Sequence, residues 1–183
     1  LNLRKNTLII FASDNGAAIQ APIKILNCNA GFKGRKGTLY EGGIRVPFIV
    51  NQPGMVPIQT LDNLIYFPDM MPTLAALAKG TKHLPKQING INILPLFYGK
   101  QVDTDNRLLY WEFPGKQRAA RKGDWKCVTI HPNQPLELYN LKEDPEETNN
   151  LAKKYPRRVK EFDEEMQRMH IPTPNWPQPG EQF

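Results

Sequence analysis

Asp14, Asn15 and Gly16 follow the apolar run IIFA (9–12) after a single serine, Ser13. A carboxylate beside a side-chain amide puts two hard oxygens at a strand end, the donor type that Ca2+ or Mg2+ takes rather than Zn2+. Neighbouring strand residues point to opposite faces, so the two can share an ion only where the chain turns, and Gly16 permits that turn. Read alone, Asp-Asn-Gly is equally a common turn, and two ligands fall short of the roughly 6–8 oxygens around Ca2+. About twenty residues later, GFKGRKGTLYEGG (31–43) sets Lys33, Arg35 and Lys36 among glycines. Backbone N–H groups and cations of such a loop can converge on an anion. The loop lacks the GxxxxGK[ST] spacing of a P-loop, and each of these cations is equally readable as solvated surface. Glu41 and Arg45, four apart, suit a structural pair that pins the loop.

Other chemistries are constrained by what the chain holds. Ser13 is the only serine among 183 residues, which removes nearly every serine-nucleophile scheme. Cys28 and Cys127 give neither a disulfide framework nor a zinc spacing. They are expected to be buried free thiols, with a single bridge as the alternative. His170 reads as a helix-end residue, and His83 and His131 as loop or pocket-rim residues. The net charge of +6 and pI of about 9.3 suit an anionic partner. Basic clusters occur at Arg118, Arg121 and Lys122 and again at 153–158. No zinc-finger or RNA-recognition pattern accompanies them, so nucleic acid is not an expected partner. No apolar run approaches the roughly 20 residues of a membrane helix, so a membrane is not expected either. The first residues lack a signal-peptide pattern. Their apolar run has the character of mid-fold sequence, which implies further chain upstream.

The elements that must position these groups come next. TLIIFA (7–12) is a continuous apolar run, as in a strand buried on both faces of a parallel sheet. A long glycine-punctuated segment (13–44) leads to a second strand, VPFIV (46–50), with Pro47 at its start. PDMMPTLAALAK (68–79) predicts a helix capped by Asp69, with Pro72 in its first turn and Gly80 as its stop. LLYWEF (108–113), RAARKG (118–123), DWKCVTI (124–130) and LELYNL (136–141) predict four short antiparallel strands, with Lys122-Gly123-Asp124 as a tight reversal. Val159, Phe162, Met166 and Met169 mark one face of a helix over 156–169. The proline-rich tail is expected to be extended, held by Trp176 if by anything. The fold class is α/β: a mixed sheet layered with helices over 1–104, then a small α+β subdomain over 105–183.

FASDNGA, GRKGTLYEGGIRVPFIV, DMMPTLAALA with INGINILPLF, RAARKGDWKCV and LELYNLKEDPEETNNLA occur in that order. Together they resemble the C-terminal half of a type I sulfatase, the arylsulfatase-like branch of the alkaline phosphatase superfamily, from residue 7 to about 170. The resemblance implies an alkaline-phosphatase-like fold and hydrolysis of sulfate esters of an aryl or carbohydrate substrate. It casts Asp14 and Asn15 as ligands completing a Ca2+ site (Mg2+ being the alternative) and Lys36 as the sulfate contact. Glu41 and Arg45 match structural support. Trp111, Arg118, Arg121 and His131 fall where substrate-rim residues should be.

The formylglycine nucleophile that the family makes from C/S-x-P/A-x-R has no counterpart here, since Cys28, Cys127 and Ser13 lack those neighbours. Formylglycine and the first metal ligands are expected in a missing N-terminal half. The chain alone is therefore expected to be inactive, to need that half as its partner, and to self-associate without it. The resemblance implies a periplasmic or secreted location and a sulfated small molecule or glycan as substrate. A phosphodiesterase or phosphonate hydrolase of the same superfamily is one alternative. A non-catalytic basic module that binds sulfated glycans is another.

Overall fold

A computed structural model describes residues 2–113, 117–131, 133–175, 177 and 182, without the side chains of residues 23 and 24. In chain order the principal elements are β1 (Ile9–Ala12), α1 (Ile23–Leu26), α2 (Glu41–Ile44), β2 (Phe48–Asn51), α3 (Met70–Leu77), α4 (Leu94–Phe97), β3 (Leu108–Phe113), β4 (Gln117–Lys122), β5 (Trp125–Thr129), β6 (Glu137–Asn140) and α5 (Pro156–Met169). They form two compact units. The first comprises Leu1–Ala12 with Pro47–Arg107, and the second Ser13–Val46 with Leu108–Phe183. The chain thus passes from one unit to the other after Ala12, Val46 and Arg107. The loop over 13–46 groups with the later strands.

In the first unit β1 and β2 pair antiparallel, Ile10 opposite Val50 and Phe11 opposite Ile49. This corrects the expectation of a parallel strand buried on both faces. Alternation decides the faces: Ile10, Phe48 and Val50 pack on Ile93, Leu96 and Phe97 from the α4 segment. Ile9, Phe11 and Ile49 point the other way and are 45, 60 and 57% exposed. A continuous apolar run marks both faces as apolar without saying what covers each.

The expected cap of α3 is also corrected. Asp69 makes no side-chain bond to that helix. Its buried carboxylate accepts the N–H groups of Tyr66 (3.0 Å) and Ile91 (2.9 Å) and takes both Arg107 terminal nitrogens at 2.6 Å. A bidentate guanidinium and two amides satisfy the carboxylate's lone pairs, which makes its burial tolerable.

In the second unit β3 to β6 form one antiparallel meander, as expected. Its alternating residues feed two cores. Ala119, Val128 and Tyr139 face Leu39 and Tyr40 of the glycine-rich loop. Ala120, Cys127 and Leu138 face Phe162 and Met166 of α5. The sheet is therefore the middle of three layers, loop, sheet and helix. The helix runs over Pro156–Met169 as the apolar spacing predicts. Gly123 has φ +54° in the reversal between β4 and β5. Cys127 is buried and Cys28 exposed, both as free thiols, which corrects the expected burial of Cys28 and leaves no bridge. Trp176 lies outside the described residues.

Candidate functional site

Two backbone hydrogen bonds build the site. The Gly16 N–H donates to the Gly43 carbonyl (2.9 Å), and the Lys36 N–H donates to the Ala17 carbonyl (2.9 Å). They lay the Asp-Asn-Gly turn alongside both the lysine loop and α2. The Ser13 hydroxyl donates to the Asn15 carbonyl (2.8 Å) and tightens the turn from within. The approach is so close that a Cβ on Gly16 would lie 1.9 Å from the Gly42 carbonyl oxygen. Any side chain there must break the contact. Gly43 is as constrained, its Cβ position being 2.0 Å from the Thr38 carbonyl. Asp14 and Lys36 are exposed and Asn15 is half-buried. The Asp14-Asn15 turn and the loop that carries Lys36 are thus adjacent through their backbones.

The donor set of Asp14 and Asn15 fits a hard cation by type. Among the described residues no group of three or more His, Cys, Asp or Glu side chains is placed to hold a metal. A Ca2+ or Mg2+ here would therefore draw most of its shell from elsewhere.

Beneath the site is a buried ionic network. Lys126 on β5, wholly buried, places Nζ 2.9 Å from both Glu41 Oε1 and Glu147 Oε1. Glu147 Oε2 accepts the Glu41 N–H (2.7 Å), which pins the first residue of α2 to the far end of the chain. Burial pushes the Glu147 carboxyl above its ordinary range, opposed by the Lys126 charge. Arg121 (3.6 Å) and Arg45 (3.8 Å) approach Glu41 Oε2 from its other side. The Glu41–Arg45 pair expected from spacing is one edge of this larger cluster.

Lys33 is similarly occupied. Its Nζ donates to the Tyr139 hydroxyl (2.9 Å), lies 3.4 Å from Glu137 Oε2 and sits 4.1 Å above the Tyr40 ring centroid. Tyr40 and Tyr139 both donate to Glu137 Oε2, at 2.7 and 2.6 Å. Burial acts to raise the Glu137 carboxyl, but these hydrogen bonds and the Lys33 charge outweigh it and hold the group below its ordinary range. Burial and the carboxylate together push both tyrosines up. Of the three cations in the loop, Lys33 is thus held by the sheet, and Arg35 reaches the Ile19 carbonyl (3.4 Å).

The four expected rim residues are not brought together. Arg118 and Arg121 are three apart on β4 and so face opposite sides. Arg118 lies 3.4 Å from Asp163 of α5, and Arg121 lies by Glu41 and donates Nε–H to the Gly123 carbonyl (3.0 Å). Trp111 is half-buried against the core between loop and sheet. His131 is exposed just after β5. His170, placed at a helix end as expected, has Nδ1 2.5 Å from Glu112 Oε1, which also accepts the Tyr110 hydroxyl. Sequence reasoning missed Lys126, Glu147 and Glu137. A lysine within the otherwise apolar run WKCV, too continuous for a strand with one face in solvent, was the available signal.

The chain is similar to known proteins over most of its length. A family model described as N-sulphoglucosamine sulphohydrolase, C-terminal, matches residues 32–171. A Formosa agariphila sulfatase is 32% identical over 171 residues, 84% of this chain and 30% of that protein. A Bacteroides thetaiotaomicron N-acetylgalactosamine-6-O-sulfatase is 30% identical, over 90% of this chain and 36% of its own length. Human arylsulfatase A is 30% identical, over 82% and 34%. A B. thetaiotaomicron structure solved in work on the metabolism of multiple glycosaminoglycans superposes with a TM-score of 0.79 at 29% identity, covering 91% of this chain and 39% of that one. The protein Ps i-CgsB in complex with k-i-k-neocarrahexaose superposes with a TM-score of 0.77 at 26% identity, over 98% and 40%. The chain belongs to the sulfatase family. It spans about a third of the length of the curated relatives it matches. Asp14 and Asn15 precede the stretch that the family model matches.

Proposed function

We propose that this chain is the C-terminal part of a sulfuric ester hydrolase acting on a sulfated small molecule or glycan. The observation that carries the reading is the pair of hydrogen bonds that sets Asp14 and Asn15 beside the Lys36 loop. In this reading Asp14 and Asn15 each give an oxygen to a Ca2+ (or Mg2+) ion. Such an ion would supply fixed positive charge opposite sulfate oxygens. Lys36, exposed at the loop crest, adds a mobile cation for the charge that develops on the sulfate or on the leaving oxygen. The buried Glu41–Lys126–Glu147 network keeps that loop in place.

The nucleophile, a formylglycine, and the remaining metal ligands belong to chain outside these residues. In this reading that portion is also the natural cover for Ile9, Phe11 and Ile49, and a periplasmic or secreted location is proposed from the family alone. The 183 residues alone should be inactive. Purified chain should give no turnover of 4-nitrophenyl sulfate with Ca2+ or Mg2+, and robust metal-dependent turnover would overturn the reading. In the complete protein Lys36→Ala should lower kcat/KM on the same ester by about 10²–10³-fold, as for loss of one charge-stabilising group.

A further inference from the structure

The second unit carries a groove that this chemistry does not use. It has a volume of about 590 Å3 and is lined by Trp125 of β5, Asn140 of β6, Glu143 and Asn149 of the following connection, and Lys154 and Tyr155 ahead of α5. Trp125 and Tyr155 meet edge to face, with ring centroids 5.3 Å apart at 73°. A cation rests on each ring: Arg158 Cζ is 4.3 Å from the Trp125 centroid, and Lys154 Nζ is 5.4 Å from that of Tyr155. Both aromatics are half-buried, while Glu143, Asn149 and Lys154 are exposed. The connecting loop is built in advance. Asp144 accepts the N–H and hydroxyl of Thr148 (3.0 and 2.8 Å) and the N–H of Asn149 (2.8 Å), so its carboxylate is already engaged.

We propose that this groove is a second saccharide subsite, which holds a sulfated unit of a polymeric glycan. Aromatic rings present flat apolar area of the kind that the C–H face of a pyranose covers, at little conformational cost. Asn149, Asn140 and Glu143 offer amide and carboxylate groups of the type that bind sugar hydroxyls. Lys154 and Arg158 are held over the rings by cation–π attraction, which is weak beside a charge-assisted hydrogen bond to sulfate, so a sulfate can draw them off. The volume lies within the range of about 300–1,000 Å3 of small-ligand sites. The choice of a sulfated polymer rests on the sulfatase reading, whereas the groove's own chemistry does not.

The test uses the complete protein, a chondroitin 6-sulfate hexasaccharide and its desulfated counterpart, with binding read by calorimetry. Lys154→Ala and Asn149→Ala, both exposed changes, should each weaken binding of the sulfated hexasaccharide about 5- to 10-fold. They should leave kcat and KM for 4-nitrophenyl sulfate unchanged. Equal binding of the desulfated hexasaccharide, or unaltered affinity in both variants, overturns the proposal. So does an equal loss when Lys160, an exposed lysine of α5, is replaced by alanine, since attraction would then be diffuse. Calorimetry reads the groove even if the complete protein cleaves no sulfate ester, so the two readings fail separately.

Discussion

Lys126 is a positive charge at the centre of a sheet, and two carboxylates on separate segments make that tenable. Removing one partner of a buried ionic set leaves the others uncompensated, which typically costs about 3–5 kcal/mol. Lys126→Ala should lower the urea unfolding free energy by that order, whereas Arg45→Ala, whose partner distance is 3.8 Å and whose side chain is half exposed, should change it by less than about 1 kcal/mol. The thiols divide as sharply. Burial pushes Cys127 up to about 12, so at neutral pH it is a thiol packed under α5, while Cys28 is exposed. A disulfide-exchange reagent should therefore titrate one thiol in the native chain at once and the second only with unfolding. Asp14, Asn15 and Lys36 stood in the sequence as candidates only, because Asp-Asn-Gly is also a common turn and a loop lysine is also solvated surface; the ordered segments around them set them apart. Lys126 and Glu147 were not, because each is explained only by partners that lie far along the chain.

At the scale of elements, α5 and the four-strand meander stood plainly in the sequence. The period-3.6 pattern survives when one face is buried and the other is not, as for Phe162 and Met166 of α5, whereas the meander, covered on both faces, was marked by its short runs and the reversal at Gly123. Phe162→Ala should cost about 3–5 kcal/mol by leaving a cavity beside Cys127 and Leu138. Met169, 37% exposed on the same stripe, should cost far less. The β1–β2 ribbon was misread because uniform apolarity carries no face information, and Asp69 because a helix-start acid looks alike whether it caps or ion-pairs. The loop-to-sheet contact at Glu137 has its own pH signature. A carboxyl held below its ordinary value contributes stability that is fully present above about pH 4.5 and is lost as pH falls through the lowered value. Thermal melts of the native chain should lose stability faster below that pH than melts of Glu137→Gln.

At the scale of the whole molecule, Phe11 and Ile49 stand directly opposite each other on an uncovered face of the β1–β2 ribbon, beside Ile9. An apolar strand face left to solvent promotes association. Sedimentation of the 183-residue chain should show concentration-dependent oligomers, and Phe11→Lys with Ile49→Lys should shift it towards monomer. A wild-type chain that stays monomeric at high concentration would show that this face needs no cover.

The passage of the chain between units also sets an order of events in time. Glu41 leaves the ribosome 85 residues before Lys126 and 106 before Glu147. At roughly 5–20 residues per second, the loop that carries Lys36 exists for about 5–20 s before its anchors are made. During that interval a growing chain holds a glycine-rich segment whose carboxylate has no counter-ion from the sheet. Synthesis speed and chaperone supply, rather than final stability alone, then govern the yield of correctly assembled protein.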